Sequence, residues 1–116
     1  MDFTRDEAQD AVAEVVVGLL EREPARDAGL WPALVSTGLL AVALPERCGG
    51  DGMGVDGVSV LLTELAADAV TAPALPTLGF GVLTLLGAAP EPLADKVFPA
   101  VAEGAILTAA LGEPRA

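Results

Sequence analysis

Seven apolar residues, Ala8, Ala11, Val12, Val15, Val16, Leu19 and Leu20, recur at the three- and four-residue steps that line one face of an α-helix. Asp6, Asp10, Glu14 and Glu21 take the opposite face. A helix built this way has to bury its stripe against other elements, so the pattern commits the chain to a packed core. Thr4-x-x-Glu7 has the capping-box spacing. The first helix is therefore predicted over about residues 4–22, and Pro24 stops its continuation.

The same period returns further along. A shorter helix fits residues 30–37, with Pro32 in its first turn and Gly38 as a left-handed C-terminal cap. LLAVALP follows, apolar and too short for its period to separate a strand from a buried turn. Val58, Leu61, Leu62, Leu65 and Ala69 make one stripe of a helix over about 56–69, with Asp56 near its start. Pro73 and Pro76 punctuate a connection. A fourth helix over about 76–87 is apolar nearly all round and is predicted to be the most buried. Pro92 opens a fifth, carrying Leu93, Val97 and Phe98, which Pro99 is predicted to break or restart. AILTAAL, residues 105–111, reads as extended. The fold class is all-α, a helical bundle of four to five helices.

Composition narrows the function. The 116 residues make one domain, 53% hydrophobic, with three Phe, one Trp and no Tyr, so the core has to be Ala, Val and Leu. Net charge is −11 and the six basic residues are scattered, which argues against nucleic acid and anionic membrane. There is no His, which removes His-based triads and the commonest metal ligand, and no metal site is expected. One cysteine, Cys48, has no internal disulfide partner, which fits a reducing cytosol and a cytoplasmic protein. MDFTRDEAQD is too acidic and polar for a signal peptide. Residues 69–90 carry no charge and are long enough for a bilayer. Pro73, Pro76, Gly79, Gly81 and Gly87 interrupt them, so a buried loop and helix is expected and no membrane span.

Five glycines fall within residues 49–57, and Gly52-Met53-Gly54-Val55-Asp56-Gly57 satisfies G-x-G-x-x-G. A dinucleotide loop has to follow a strand directly and open the helix of a βαβ unit. Here Pro45 to Asp51 separate the apolar run from the match, and no βαβ alternation surrounds it. A P-loop needs Gly-Lys-Ser/Thr, and the first Lys is Lys96. A calcium loop beginning at Asp51 would need Gly and Glu where Asp56 and Leu62 stand. What remains is a tight connection between helices, using glycine for positive φ and close approach. Asp51, Asp56, Glu64 and Glu113 read as caps, turn residues or surface charges. Cys48 reads as packing.

The order of the pieces carries a resemblance. Trp31-x-x-Leu34, Gly38-Leu39-Leu40, Leu44-Pro45-Glu46-Arg47-Cys48-Gly49-Gly50-Asp51-Gly52, Glu64-Leu65-Ala66, Asp95-Lys96-Val97-Phe98-Pro99-Ala100-Val101-Ala102-Glu103-Gly104 and Thr108-Ala109-Ala110-Leu111-Gly112-Glu113-Pro114 follow one another along nearly the whole chain. Together they resemble the N-terminal helical domain of acyl-CoA dehydrogenases.

The resemblance implies one subunit part of an FAD enzyme that removes the α and β hydrogens of an acyl-CoA. In such enzymes a carboxylate takes the proton and the flavin takes the hydride. It implies that residues 1–104 form the helical domain and residues 105–116 begin the connection to a middle β domain. The catalytic base is then expected outside this chain, and the piece alone is expected to be inactive. By position, Leu75, Leu78, Gly79, Val82 and Leu83 would wall the acyl pocket, with Gly79 and Gly81 leaving room for a bulky acyl group. Leu111 and Gly112 would meet FAD through backbone N–H and C=O groups. Gly112 stands where the family carries Thr, so a hydroxyl contact to the flavin is lost. The Ala-, Gly- and Val-rich composition and the TAALGEP ending are similar to actinobacterial heterotetrameric types acting on steroid side-chain CoA thioesters. The implied partners are an acyl-CoA substrate and other acyl-CoA dehydrogenase subunits in a homo- or heterotetramer. The alternatives are a non-catalytic partner subunit of such an enzyme, or a stand-alone helical interaction domain.

Overall fold

The computed structural model describes residues 5–22, 29–67 and 73–108. Every regular element among them is helical, as the apolar periods predict, and no strand occurs among the described residues. Helix α1 is Glu7–Arg22, α2 is Leu30–Ser36, α3 is Gly54–Ala67, α4 is Leu83–Ala88 and α5 is Glu91–Ala102. Two 3-10 turns, Leu39–Ala41 and Glu46–Cys48, lie between α2 and α3. A π-helical segment, Leu75–Val82, runs straight into α4.

The start of α1 corrects the predicted cap. The Asp6 carboxylate accepts from the Gln9 N–H at 2.8 Å, and the Gln9 side-chain oxygen accepts from the Asp6 N–H at 2.8 Å. This is a capping box two residues beyond Thr4-x-x-Glu7, with Asp and Gln satisfying the same orphan donors that Thr and Glu would. Thr4 itself lies outside the described residues, as does Pro24. Helix α2 ends as predicted on Gly38, whose φ of 77° is left-handed and whose N–H donates to the Val35 carbonyl at 3.1 Å.

Helix α1 packs along α3, and their stripes meet in one core that holds Val12, Val16, Leu19 and Leu20 with Val58, Leu61 and Leu65. An ion pair pins the outer edge of this contact, Arg5 Nη1 to Glu64 Oε1 at 2.8 Å. Residues 39–44 are all buried, and they are turns and not a strand. Helix α5 packs on those turns. Trp31 ties α2 to the far end of α5 through its indole N–H, which donates to the Gly104 carbonyl at 2.8 Å.

Two predictions fail for identifiable reasons. Pro99 does not break α5, which runs through it to Ala102. Both Pro99 and Asp95, the residue whose carbonyl loses its partner, lie on the exposed side, where solvent is available to that carbonyl. Burial of Phe98 and Val101 on the other side holds the helix together. The fourth helix is also not the most buried. Thr77, Leu78, Gly81 and Val82 are buried, but Leu75 is 51% and Phe80 44% exposed, and no residue of α4 is fully buried. An all-round apolar helix needs neighbours on every side. Here α3 covers one side and residue Leu107 approaches another, so a face is left over.

Candidate functional site

The glycine-rich loop closes on itself. Gly49, Gly52 and Gly54 have φ of 84°, 68° and 58°, a left-handed conformation that a side chain disfavours. The bends turn residues 50–53 back over the buried turns. Asp51 N–H donates to the Ala41 carbonyl at 3.2 Å, Gly52 N–H to Leu44 at 2.8 Å and Met53 N–H to Val42 at 3.0 Å. Gly50 N–H donates to Pro45 at 3.1 Å. At Gly50 a Cβ would overlap the Leu44 carbonyl and sit 2.6 Å from that of Ala41. A phosphate cradle requires backbone N–H groups that point outward and unpaired. These four already have partners, and no strand feeds the loop among the described residues, so the first half of the G-x-G-x-x-G match is spent on packing the loop against the turns.

Beside the loop, Arg47 Nη1 meets Asp95 Oδ1 at 2.9 Å, and the half-buried Cys48 Sγ lies 3.7 Å from the same carboxylate. This joins the Glu46–Cys48 turn to α5. No cluster of metal-ligating residues occurs among the described residues.

The other candidate is the π-helical segment with the chain that crosses it. Residues 105–108 are non-helical, as predicted; the rest of the predicted extended stretch lies outside the described residues. The crossing is fixed by Thr77, fully buried in an otherwise apolar environment. Its hydroxyl oxygen accepts from the Leu107 N–H at 3.1 Å, and its O–H donates to the Leu107 carbonyl at 3.2 Å. Leu107 lies directly over Gly81, where a Cβ would come within 2.7 Å of the leucine Cβ. Phe80, Gly81, Thr84, Leu85, Leu107 and Thr108 line an open hollow of about 210 Å³ along this crossing. It holds no ionisable group. It offers apolar surface and two hydroxyls, one of which, on Thr84, donates to the Phe80 carbonyl at 2.8 Å.

The predicted wall residues divide between core and surface. Leu78 and Val82 point into the core, Leu75 is exposed, and Gly79 and Leu83 are partly buried. The rooms beside the glycines are taken, that at Gly81 by Leu107 and that at Gly79 by Leu75 Cδ1 at 3.0 Å. Leu111 and Gly112 lie outside the described residues. Sequence reading missed Phe80, Thr84 and Leu85 on the flank facing Leu107. Its available signal was the pair Thr77 and Thr84, hydroxyls in a stretch with no charge. No helix among the described residues is long and apolar enough to cross a membrane.

Comparison with known proteins places this arrangement. Residues 1–105 match the acyl-CoA dehydrogenase N-terminal domain family. The chain belongs to that family. It is 47% identical over 116 residues to acyl-CoA dehydrogenase FadE28 of Mycobacterium tuberculosis, covering all of this chain and 33% of that one. Its fold is similar to a chain of the ChsE4-ChsE5 complex from Mycobacterium tuberculosis, with a TM-score of 0.78 and 26% identity, over 98% of this chain and 36% of the other. A variant of the steroid ACAD Tcur3481-Tcur3483 matches with a TM-score of 0.65 and 29% identity, over 84% of this chain and 29% of that chain. The chain thus spans about a third of the length of its relatives.

Proposed function

We propose that this chain is the N-terminal domain of an FAD-dependent acyl-CoA dehydrogenase subunit that desaturates an acyl-CoA thioester between its α and β carbons. The observation that carries the reading is 47% identity to an acyl-CoA dehydrogenase across every residue of the chain. A steroid side-chain thioester is the substrate class we favour, because one structural relative is described as a steroid ACAD. A heterotetramer is the assembly we favour, because another relative is part of a two-component complex. The cytoplasm is the compartment we favour.

The domain's part is to supply an apolar wall. Leu75, Leu78, Gly79, Val82 and Leu83 belong to the helix that would form it, with Leu75 and its neighbour Phe80 offering the exposed surface. FAD, when bound, would accept the hydride. The paired amides of residues 50–53 provide no cradle for its phosphates. On this chain Leu111 and Gly112 would meet the flavin through their backbone groups, and the base would come from elsewhere in the enzyme.

Gly112, in place of a threonine, favours a second reading in which this subunit is the non-catalytic partner. Expression of the natural full-length gene with its neighbouring acyl-CoA dehydrogenase gene separates the outcomes. The proposal expects a yellow complex whose flavin band bleaches on adding a steroid side-chain CoA thioester. A colourless complex, or one inert to acyl-CoA, would refute it. Flavin retained only in sites formed without Leu111 and Gly112 would select the partner-subunit reading.

A further inference from the structure

The exit of the chain from the helical domain is held at three points on two elements. Trp31 grips the Gly104 carbonyl at 2.8 Å. Thr77 grips both backbone groups of Leu107. Gly81, by lacking a Cβ, lets Leu107 lie against the helix. The Thr77 contact is the unusual one. A fully buried threonine in a helix commonly returns its hydroxyl to a carbonyl one turn earlier, as Thr84 does to Phe80. Thr77 instead uses its hydroxyl as donor and acceptor toward one residue thirty positions away. It thus supplies to Leu107 what a β-ladder partner would supply.

We infer that Thr77 is a positioning residue: through Leu107 it sets the width of the hollow beside Phe80 and holds residues 105–108 across the π-helical segment. The hollow lies beside the helix proposed to wall the acyl pocket, so a shift at Leu107 changes the surface offered to the acyl group. Replacing the hydroxyl by a methyl leaves the helix packed while removing the partner of both the N–H and the C=O of the half-buried Leu107. The consequence for turnover rests on the acyl-CoA dehydrogenase reading; the consequence for chain geometry does not.

The test is Thr77→Val against Thr77→Ser in the full-length natural assembly. Amide hydrogen exchange over residues 104–108 and the kcat and KM for a steroid side-chain CoA thioester are both read. The inference expects faster exchange over that segment in Thr77→Val. It expects kcat to fall about tenfold to a hundredfold, the cost of seating the substrate about an ångström out of place. Thr77→Ser should restore both, because it keeps the hydroxyl and loses only a methyl. Trp31→Phe, which releases the same segment at Gly104, should act in the same direction and more weakly, and it carries the test if Thr77→Val does not assemble. Unchanged exchange, or faster exchange with unchanged kcat, overturns the inference. So does a kcat loss that serine does not restore. If the wild-type assembly does not turn over acyl-CoA at all, the functional reading falls, and exchange alone decides whether Thr77 holds the segment.

Discussion

The glycine-rich loop and the π-helical segment exchange the roles their sequences advertise. The loop spells a nucleotide motif and is shut: its amides at residues 50–53 donate inward to Ala41, Val42, Leu44 and Pro45. The π-helical stretch spells a buried core helix and is half open, with Leu75, Phe80 and the nearby Ile106 at 51%, 44% and 61% exposure. A pattern of residue types is therefore weaker evidence for a site than the fate of the backbone groups it contains. For the loop that fate is set by glycine's tolerance of close approach. For the helix it is set by how few neighbours the domain supplies.

The contrast can be broken most severely at Gly50. Gly50→Ala forces a methyl into two carbonyl oxygens, neither of which is a flexible side chain. It should cost about 3 kcal/mol or more, at the upper end of overpacking, measured by urea denaturation. A cost under about 1 kcal/mol would mean that the loop is not clamped to the turns as described.

Within the π-helical segment, two leucines three residues apart should behave differently. Leu78→Ala removes a fully buried side chain and should lower stability by about 2–4 kcal/mol. Leu75→Ala, at the exposed face, should change stability by no more than about 0.5 kcal/mol. Equal losses would show that the segment is buried all round after all.

How much of this was legible follows from those same residues. Helix number and order were readable, because period 3.6 is strong in residues 8–20 and 58–65. The cap at Gly38 was readable from local chemistry. The exposure of Phe80 was not, because periodicity reports how apolar a face is and not whether a neighbour exists to cover it. Nor was the Thr77 to Leu107 contact, which joins residues thirty positions apart and leaves no local pattern. Leu75 and Leu78 share a side-chain type, and only the three-dimensional packing separates them. Pro99 misled because its rule concerns a lost bond, and the cost of that loss depends on whether the orphan carbonyl faces water.

Two smaller effects sharpen the comparison. Arg47→Ala removes an ion pair whose partners are 41% and 55% exposed, and should shift stability by less than about 0.5 kcal/mol in a thermal melt. Titration with inorganic phosphate or NADH should leave the amide resonances of residues 49–57 unmoved at millimolar ligand. Saturable shifts there would reopen the dinucleotide reading.

The most direct test uses amide hydrogen exchange on the full-length natural assembly, with and without a steroid side-chain CoA thioester. The account predicts protection concentrated over residues 75–85 and 105–108, with residues 49–57 unchanged, the amides of residues 49–53 being already bonded within the domain. Protection over residues 49–57 and none over the π-helical segment would contradict it.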